Sequence, residues 1–190
     1  MSRTMVALTE AAHKLGADER TLRRAVATGT VRCHERSPRR RQLDDDELAY
    51  LSAHWDLLSD LRRALRTEPN VRLAVLYGSA ARGDDREDSD ADVLVSFAED
   101  RSVTRIDLAV RLMRALDRDV DVAQLDRVDA TAPLLLLQVV DEGRVIVDRD
   151  GEWSDIQRRR DEIARRAHHA HAENLRQARE AIRELIEADD

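Results

Sequence analysis

The sequence predicts an α/β (α+β) chain. A small helical head with a hairpin leads into a middle region built on a small mixed sheet, and a C-terminal segment follows as a long helix or helical hairpin. Three observations carry this. Residues 1–47 read as two short helices followed by a basic hairpin. Residues 71–150 alternate short apolar runs with segments of three-and-four apolar spacing. Residues 153–186 contain no Gly or Pro and are rich in charge. The divisions fall at 1–66, 67–150 and 151–190, with Glu68-Pro69-Asn70 the clearest break between the first two.

Composition sets the class. The chain has 190 residues, enough for one ordinary domain or two small ones, and its 42% hydrophobic content supports a packed core. Charged residues make up 37%, so the surface must be dense in ion pairs. The net charge of −7 hides an asymmetry: residues 1–43 hold ten Arg and Lys against four Asp and Glu, a net of +6 that leaves −13 for the rest. A basic head on an acidic body points to a polyanionic partner for the head. Cys33 is the only cysteine, which excludes an intrachain disulfide. The first residues lack a signal-peptide apolar core, and the longest nearly apolar run, 132–140, is too short to span a bilayer. The expectation is a soluble cytoplasmic protein without a membrane partner.

The elements follow in order. Thr9 is placed to cap a helix over 10–15 that Gly16 ends, and Asp18 a second helix to about Ala27 that Gly29 ends. Residues 31–35 and 40–43 read as short strands, with Ser37-Pro38 in the turn between them. Helix, tight turn, helix and hairpin outline a winged helix-turn-helix. Over 44–66, Leu48, Leu51, Trp55, Leu58, Leu61 and Leu65 form a helical stripe, with Asp44, Asp45 and Asp46 at the end where carboxylates suit the helix dipole. Strands are expected at 71–77, 92–97, 119–123 and 144–147, and a helix at 103–116. Residues 134–140 are ambiguous between helix and strand. The tail carries two stripes: Ile156, Ile163, Ala167 and Ala170, then Leu175, Ala178, Ile182 and Leu185. The apolar face over 153–186 could be intrachain packing, a dimer seam or a partner-binding face.

The informative stretch is 76–95, where an apolar strand runs into Gly78-Ser79 and, ten residues on, into Asp90-Ala91-Asp92. Glycine lets the backbone approach a phosphate and adopt a positive φ. A helix starting after Gly78 would direct free N–H groups at an anion. Ser79 adds a hydroxyl, Arg82 a permanent cation suited to phosphate, and Ser89 joins them as a nucleotide-binding candidate. Asp90 and Asp92, two apart on a strand, share a face while Ala91 and Val93 point into the core. Paired carboxylates repel, and a divalent cation with hard oxygen preference, Mg²⁺ or Mn²⁺, resolves the conflict. Asp121 is the third carboxylate. Asp119 shares its face, but apolar neighbours Val120 and Val122 fit Asp121 to a central strand.

This constellation resembles the DNA polymerase beta nucleotidyltransferase superfamily, in particular its minimal prokaryotic branch, over roughly 71–150. The resemblance implies that Asp90 and Asp92 bind metal ions, that Asp121 positions or deprotonates the acceptor hydroxyl, and that Gly78 and Ser79 hold the triphosphate of ATP or another nucleoside triphosphate. The implied reaction is in-line displacement at the α-phosphorus with loss of pyrophosphate. Minimal members of this type resemble antitoxins of bacterial toxin–antitoxin pairs, many partnered with HEPN-type ribonucleases, where the family activity is transfer of AMP onto the toxin. An aminoglycoside-type small-molecule nucleotidyltransferase and a nucleotide-sensing regulator that does no chemistry are the competing readings.

The head resembles the MerR- and excisionase-like helix-turn-helix family through Leu8-Thr9-Glu10-Ala11-Ala12, Leu15-Gly16, Arg20-Thr21-Leu22-Arg23-Arg24, Gly29 and Asp46-Glu47-Leu48-Ala49-Tyr50-Leu51. The resemblance implies duplex DNA binding, with Arg20, Arg23 and Arg24 on the helix that enters the major groove and Arg36, Arg39, Arg40 and Arg41 as wing contacts to phosphate. A homodimer on a two-fold operator, through 44–66 or 153–186, is the natural arrangement. His168 and His171 lack a second ligand pair and read as a solvated helix face. Cys33 and His34 lack partners for a zinc site, and Trp55 and Trp153 read as core anchors.

Overall fold

The structure, a computed structural model, describes residues 5–37, 40–86, 88–99 and 104–188. The head begins with β1 (Met5–Ala7), which runs straight into α1 (Leu8–Lys14). Thr9 therefore lies inside α1, and the cap position is Ala7. α2 (Glu19–Thr28) starts as its sequence predicts, with the Asp18 carboxylate accepting the Thr21 N–H, and ends at Gly29 in the left-handed region, φ 90°. β2 (His34–Ser37) and β3 (Arg40–Asp44) pair antiparallel, and β1 adds to β3 to give the order β1-β3-β2. Strand β1 is three residues long, too short to show an alternation in sequence. α3 (Asp45–Arg66) is capped by Asp44, whose side chain accepts the Glu47 N–H.

The middle region is a four-stranded mixed sheet of order β6-β5-β4-β7. Its elements are β4 (Val71–Tyr77), the short α4 (Gly78–Arg82), β5 (Ala91–Phe97), α5 (Thr104–Leu116), β6 (Val120–Gln124), α6 (Leu125–Thr131), α7 (Pro133–Glu142) and β7 (Arg144–Asp148). β5 and β6 run parallel, with α5 as crossover; the other two pairs are antiparallel. Ala74, Leu76, Val93, Val95 and Ile146 pack toward α3 and α5, against Leu58, Leu61, Leu108 and Leu112. Leu73, Val75, Leu94 and Val145 pack on the other side against Val128, Leu136 and Val139 of α6 and α7. The ambiguous 134–140 run is helical: Pro133 occupies the first turn, where its missing N–H costs nothing, and Leu136, Val139 and Val140 are buried at helical spacing.

Head and sheet share one apolar core. Val6, Leu22, Leu43 and Leu51 belong to the same buried cluster as Val93 and Leu112. The tail is two consecutive helices, α8 (Glu152–Arg158) and the long α9 (Arg160–Ala188). Ile156, Ile163 and Ala167 of the first stripe are buried, with α9 packed along α7. Of the second stripe, Leu175, Ala178 and Ile182 are exposed, and the Leu185 side chain lies outside the described residues. No helix among the described residues is long and apolar enough to cross a membrane.

Candidate functional site

The site lies where β4 ends and β5 and β6 begin. The register sets Tyr77 opposite Asp92 on one side and Asp121 opposite Asp92 on the other. Directly paired residues project to the same face, so Tyr77, Asp92 and Asp121 form one row across three strands, with Asp90 just before β5. Asp90 is thus a loop residue rather than a strand residue. β6 is an edge strand, not the central one expected from its flanking valines. Val120 and Val122 are buried on one face only, which leaves Asp121 exposed on the other. Asp119 lies before β6, and its carbonyl accepts the Ala91 N–H at 2.9 Å.

Charge accumulates along this row. Burial, then the neighbouring Asp121 and Asp90 carboxylates, push the Asp92 carboxyl above its ordinary value, partly opposed by Arg82 and Arg118. Burial, then the Asp92 and Asp121 carboxylates, push the Tyr77 phenol up to about 12. Gly78 follows Tyr77 at φ 72°, and a Cβ there would overlap the Asp92 Oδ2 atom, so glycine is required twice over. Ser79 follows in α4, half-buried. Among the described residues no group of three or more His, Cys, Asp or Glu side chains stands close enough together to hold a metal ion as the chain is folded here. Asp92 and Asp121 lie side by side in the row at the end of the sheet, with Asp90 in the loop just before β5.

The loop from α4 to β5 is pinned by residues that the sequence reading passed over. The Asp85 carboxylate accepts from Arg118 Nη2 at 2.7 Å and pairs with His54 Nε2 at 2.7 Å, while Arg118 Nε donates to the Ser89 carbonyl. Ser89 uses its hydroxyl inside the loop, accepting the Arg86 N–H at 2.9 Å. Arg82, at the end of α4, donates to Glu142 at 3.0 Å and Asp84 at 3.3 Å. Behind α4, Tyr50 donates its hydroxyl to the Ala80 carbonyl at 3.0 Å, and Arg144 Nε donates to the Ala81 carbonyl at 2.8 Å. These two groups satisfy carbonyls of a helix too short to satisfy its own. Asp85, Arg118 and Arg144 sit in chain segments already dense in charge, so nothing local in the sequence marks them.

The head's arginines divide. Arg20, Arg23 and Arg24 are exposed on α2, and Arg23 donates to Glu19 at 2.7 Å. Arg41 on β3 is half-buried. Arg39 and the side chains of Arg36 and Arg40 lie outside the described residues. His168, His169 and His171 are exposed on α9. His34 meets Asp44 at 3.1 Å. Trp153 is a buried anchor, whereas Trp55 is only half-buried.

The site is thus a polar row beside a glycine turn at the end of a small mixed sheet. Residues 59–152 match the family described as polymerase beta, nucleotidyltransferase. The chain is 35% identical over 77 residues to the protein adenylyltransferase MntA of Shewanella oneidensis, covering 40% of this chain and 53% of that protein. It thus spans about half the length of this curated relative. Among solved structures it is similar to a toxin–antitoxin crystal structure with AMP-PNP, at 25% identity and a TM-score of 0.52, over 66% of this chain and 98% of that one. A structure of tri-AMPylated Shewanella oneidensis HEPN toxin with MNT antitoxin shares the fold at 23% identity and a TM-score of 0.50, over 68% and 98%.

Proposed function

We propose that this protein is a metal-dependent nucleotidyltransferase that moves AMP from ATP, or NMP from another nucleoside triphosphate, onto a protein acceptor. We propose further that the acceptor is the toxin of a toxin–antitoxin pair, and that residues 1–66 let the same antitoxin bind duplex DNA. The observation that carries the enzymatic reading is the register: Asp92 faces Asp121 across β5 and β6, with the Gly78 turn against the Asp92 carboxylate. The match over 59–152 and the protein adenylyltransferase relative support it. The toxin–antitoxin structure with AMP-PNP supports the partner and the nucleotide.

The donor set fits a hard divalent cation. It consists of carboxylate oxygens, and the Asp92 carboxyl, raised first by burial and then by the Asp121 and Asp90 carboxylates, is one whose charged form a nearby cation would favour. Asp90, Asp92 and Asp121 would hold Mg²⁺ or Mn²⁺. Bound there, the ion would offset charge on the triphosphate and on the leaving pyrophosphate. The chain's own residues do the rest. Gly78 lets the backbone close on the triphosphate, and Ser79 donates its hydroxyl to it. Arg82 exchanges its contacts with Glu142 and Asp84 for a phosphate oxygen. Asp121, exposed at the sheet edge, accepts the proton of the attacking hydroxyl. The oxygen then displaces pyrophosphate in line at the α-phosphorus.

The test uses ATP labelled on the α-phosphate, divalent metal and the product of the neighbouring gene. Label transfer by the native chain, lost in Asp90→Asn and in Asp92→Asn with the fold intact, is the expected result. Undiminished transfer by either variant removes the assigned site. Nucleotide binding without transfer to any acceptor selects the sensing regulator, and transfer to an aminoglycoside the small-molecule enzyme.

A further inference from the structure

At the end of the sheet away from the carboxylate row, where β4 begins and β7 ends, a cavity of about 680 Å³ opens between α2, α3 and β7. Its walls carry Arg24 from α2, Arg62 and Arg66 from α3, Trp55 and Thr28. A chain of net charge −7 has ample carboxylate with which to neutralise these arginines, yet it does not. Among the described residues none of Arg24, Arg62 and Arg66 has a carboxylate partner, and Arg62 Nη1 is buried with no hydrogen-bond acceptor. The one acid in the wall, Asp148, is already engaged. Its carboxylate accepts the Glu152 N–H at 3.0 Å and the Trp153 N–H at 3.4 Å. Two further arginines are occupied elsewhere: Arg63 with Asp60, and Arg149 with the Leu65 and Glu68 carbonyls.

Three guanidiniums around one concavity repel. Burial, then the adjacent Arg66 and Arg24 cations, hold Arg62 below the ordinary arginine range. A buried donor left without an acceptor costs free energy, and a like-charge cluster adds to that cost. Both are relieved by a multiply charged anion rich in acceptors. Guanidinium forks suit phosphate oxygens, and the half-buried Trp55 ring offers a planar apolar surface beside them. The volume is that of a small-molecule site. A recess between three elements admits a free ligand more readily than the convex backbone of a duplex.

We propose that this cavity is a second ligand site, separate from the nucleotidyl-transfer site, that binds a nucleoside polyphosphate. The phosphates lie among Arg24, Arg62 and Arg66, and the base lies against Trp55. Because Arg24 and Thr28 belong to α2, the ligand bridges the head to α3 and β7. The site shares no residue with the Gly78–Asp92–Asp121 group and stands whether or not that group transfers nucleotide.

The test uses the full chain with Trp153→Phe, which leaves Trp55 as the sole tryptophan. Its fluorescence is titrated in EDTA with ATP, with inorganic tripolyphosphate and with a short duplex DNA. ATP and tripolyphosphate should each give a saturable response at one per chain. Arg66→Gln, an exposed position at which folding is not at stake, and Arg62→Met should each weaken both by about tenfold or more. Trp55→Leu, followed by calorimetry, should weaken ATP but not tripolyphosphate. Asp92→Asn should change nothing. No response to either small anion, or unchanged affinity in both arginine variants, overturns the site. A response abolished by Asp92→Asn assigns the binding to the carboxylate row and overturns it too. A response to duplex DNA alone makes the arginines a nucleic-acid contact and overturns the small-ligand reading.

Discussion

Arg144 and Glu47 meet as a parallel pair, Nη1 to Oε1 at 2.7 Å and Nη2 to Oε2 at 3.0 Å, with only 2% and 6% of their side chains exposed. The guanidinium carbon also lies 3.4 Å from the centre of the Tyr50 ring. Burial is the main reason the Tyr50 phenol is pushed up to about 12. This pair ties α3 of the head to β7 of the sheet, and through Tyr50 and the Ala81 carbonyl it holds α4 in place. The head is therefore part of the support for the glycine turn.

Removing one partner strands the other charge in a dry interior. Glu47→Met or Arg144→Met should each cost about 3–5 kcal/mol, read as a fall in the urea midpoint. Glu47→Met with Arg144→Met should cost less than the sum of the two, because no unpaired charge remains. Additive losses would mean that the two side chains do not act as a pair.

Gly78→Ala should disable transfer while leaving a folded chain. The left-handed conformation costs a non-glycine residue about 1–2 kcal/mol, which lowers Tm by only a few degrees in a protein of this size. The added methyl group would overlap the Asp92 carboxylate, so pyrophosphate release should fall far more than stability does. Native turnover in this variant would contradict the close approach of Gly78 to Asp92.

Asp85 should make stability sensitive to acid. Burial pushes its carboxyl up, but hydrogen bonds from His54 and Arg118 outweigh this and hold it below 3.8, its ordinary value. The unfolded chain then binds the proton first as pH falls. Asp85's contribution is complete above about pH 3.8 and is lost as pH drops through the folded value. Asp85→Asn should lower Tm at neutral pH and flatten the acid limb of the stability curve. An unchanged acid limb would remove Asp85 from the loop's support.

The DNA reading predicts that affinity for duplex from the gene's own upstream region falls steeply with salt, with a log–log slope of roughly −0.9 per phosphate contacted. Neutralising Arg39, Arg40 and Arg41 together should make that slope shallower for all sequences alike. Changing Arg23 should alter preference among sequences. The assay is fluorescence anisotropy with the full chain at two salt concentrations, since head and sheet share one core. No binding at low salt would remove the regulatory half of the proposal and leave the enzymatic half intact.

Much of this was legible in the residues, for local reasons. The cap at Asp18, the stop at Gly29, the acidic start and apolar stripe of α3 and the strands on either side of Gly78-Ser79 follow from turn chemistry and apolar period. The spacing of Gly78-Ser79 and Asp90-Ala91-Asp92 along the chain singled out Asp90 and Asp92 as candidates, and Asp121 was a candidate through its strand setting. What was missed is short or non-local. β1 has three residues, and α6 has seven. The supports Tyr50, His54, Asp85 and Arg118 come from three separate segments, and in a chain with 37% charged residues no single Arg or Asp stands out.

The sequence by itself determined that a basic head precedes an acidic body, and it supplied the candidates for phosphate and metal binding, because these depend on residue type and spacing. Only the tertiary structure decided that β6 lies at the sheet edge, which exposes Asp121 while keeping it opposite Asp92. It also decided that Arg144 pairs with Glu47 across 97 positions of chain, and that three arginines from α2 and α3 share one cavity. Such relations rest on packing between distant segments, where the free energy of burying a charge or leaving it unpaired is set by neighbours that no local pattern encodes.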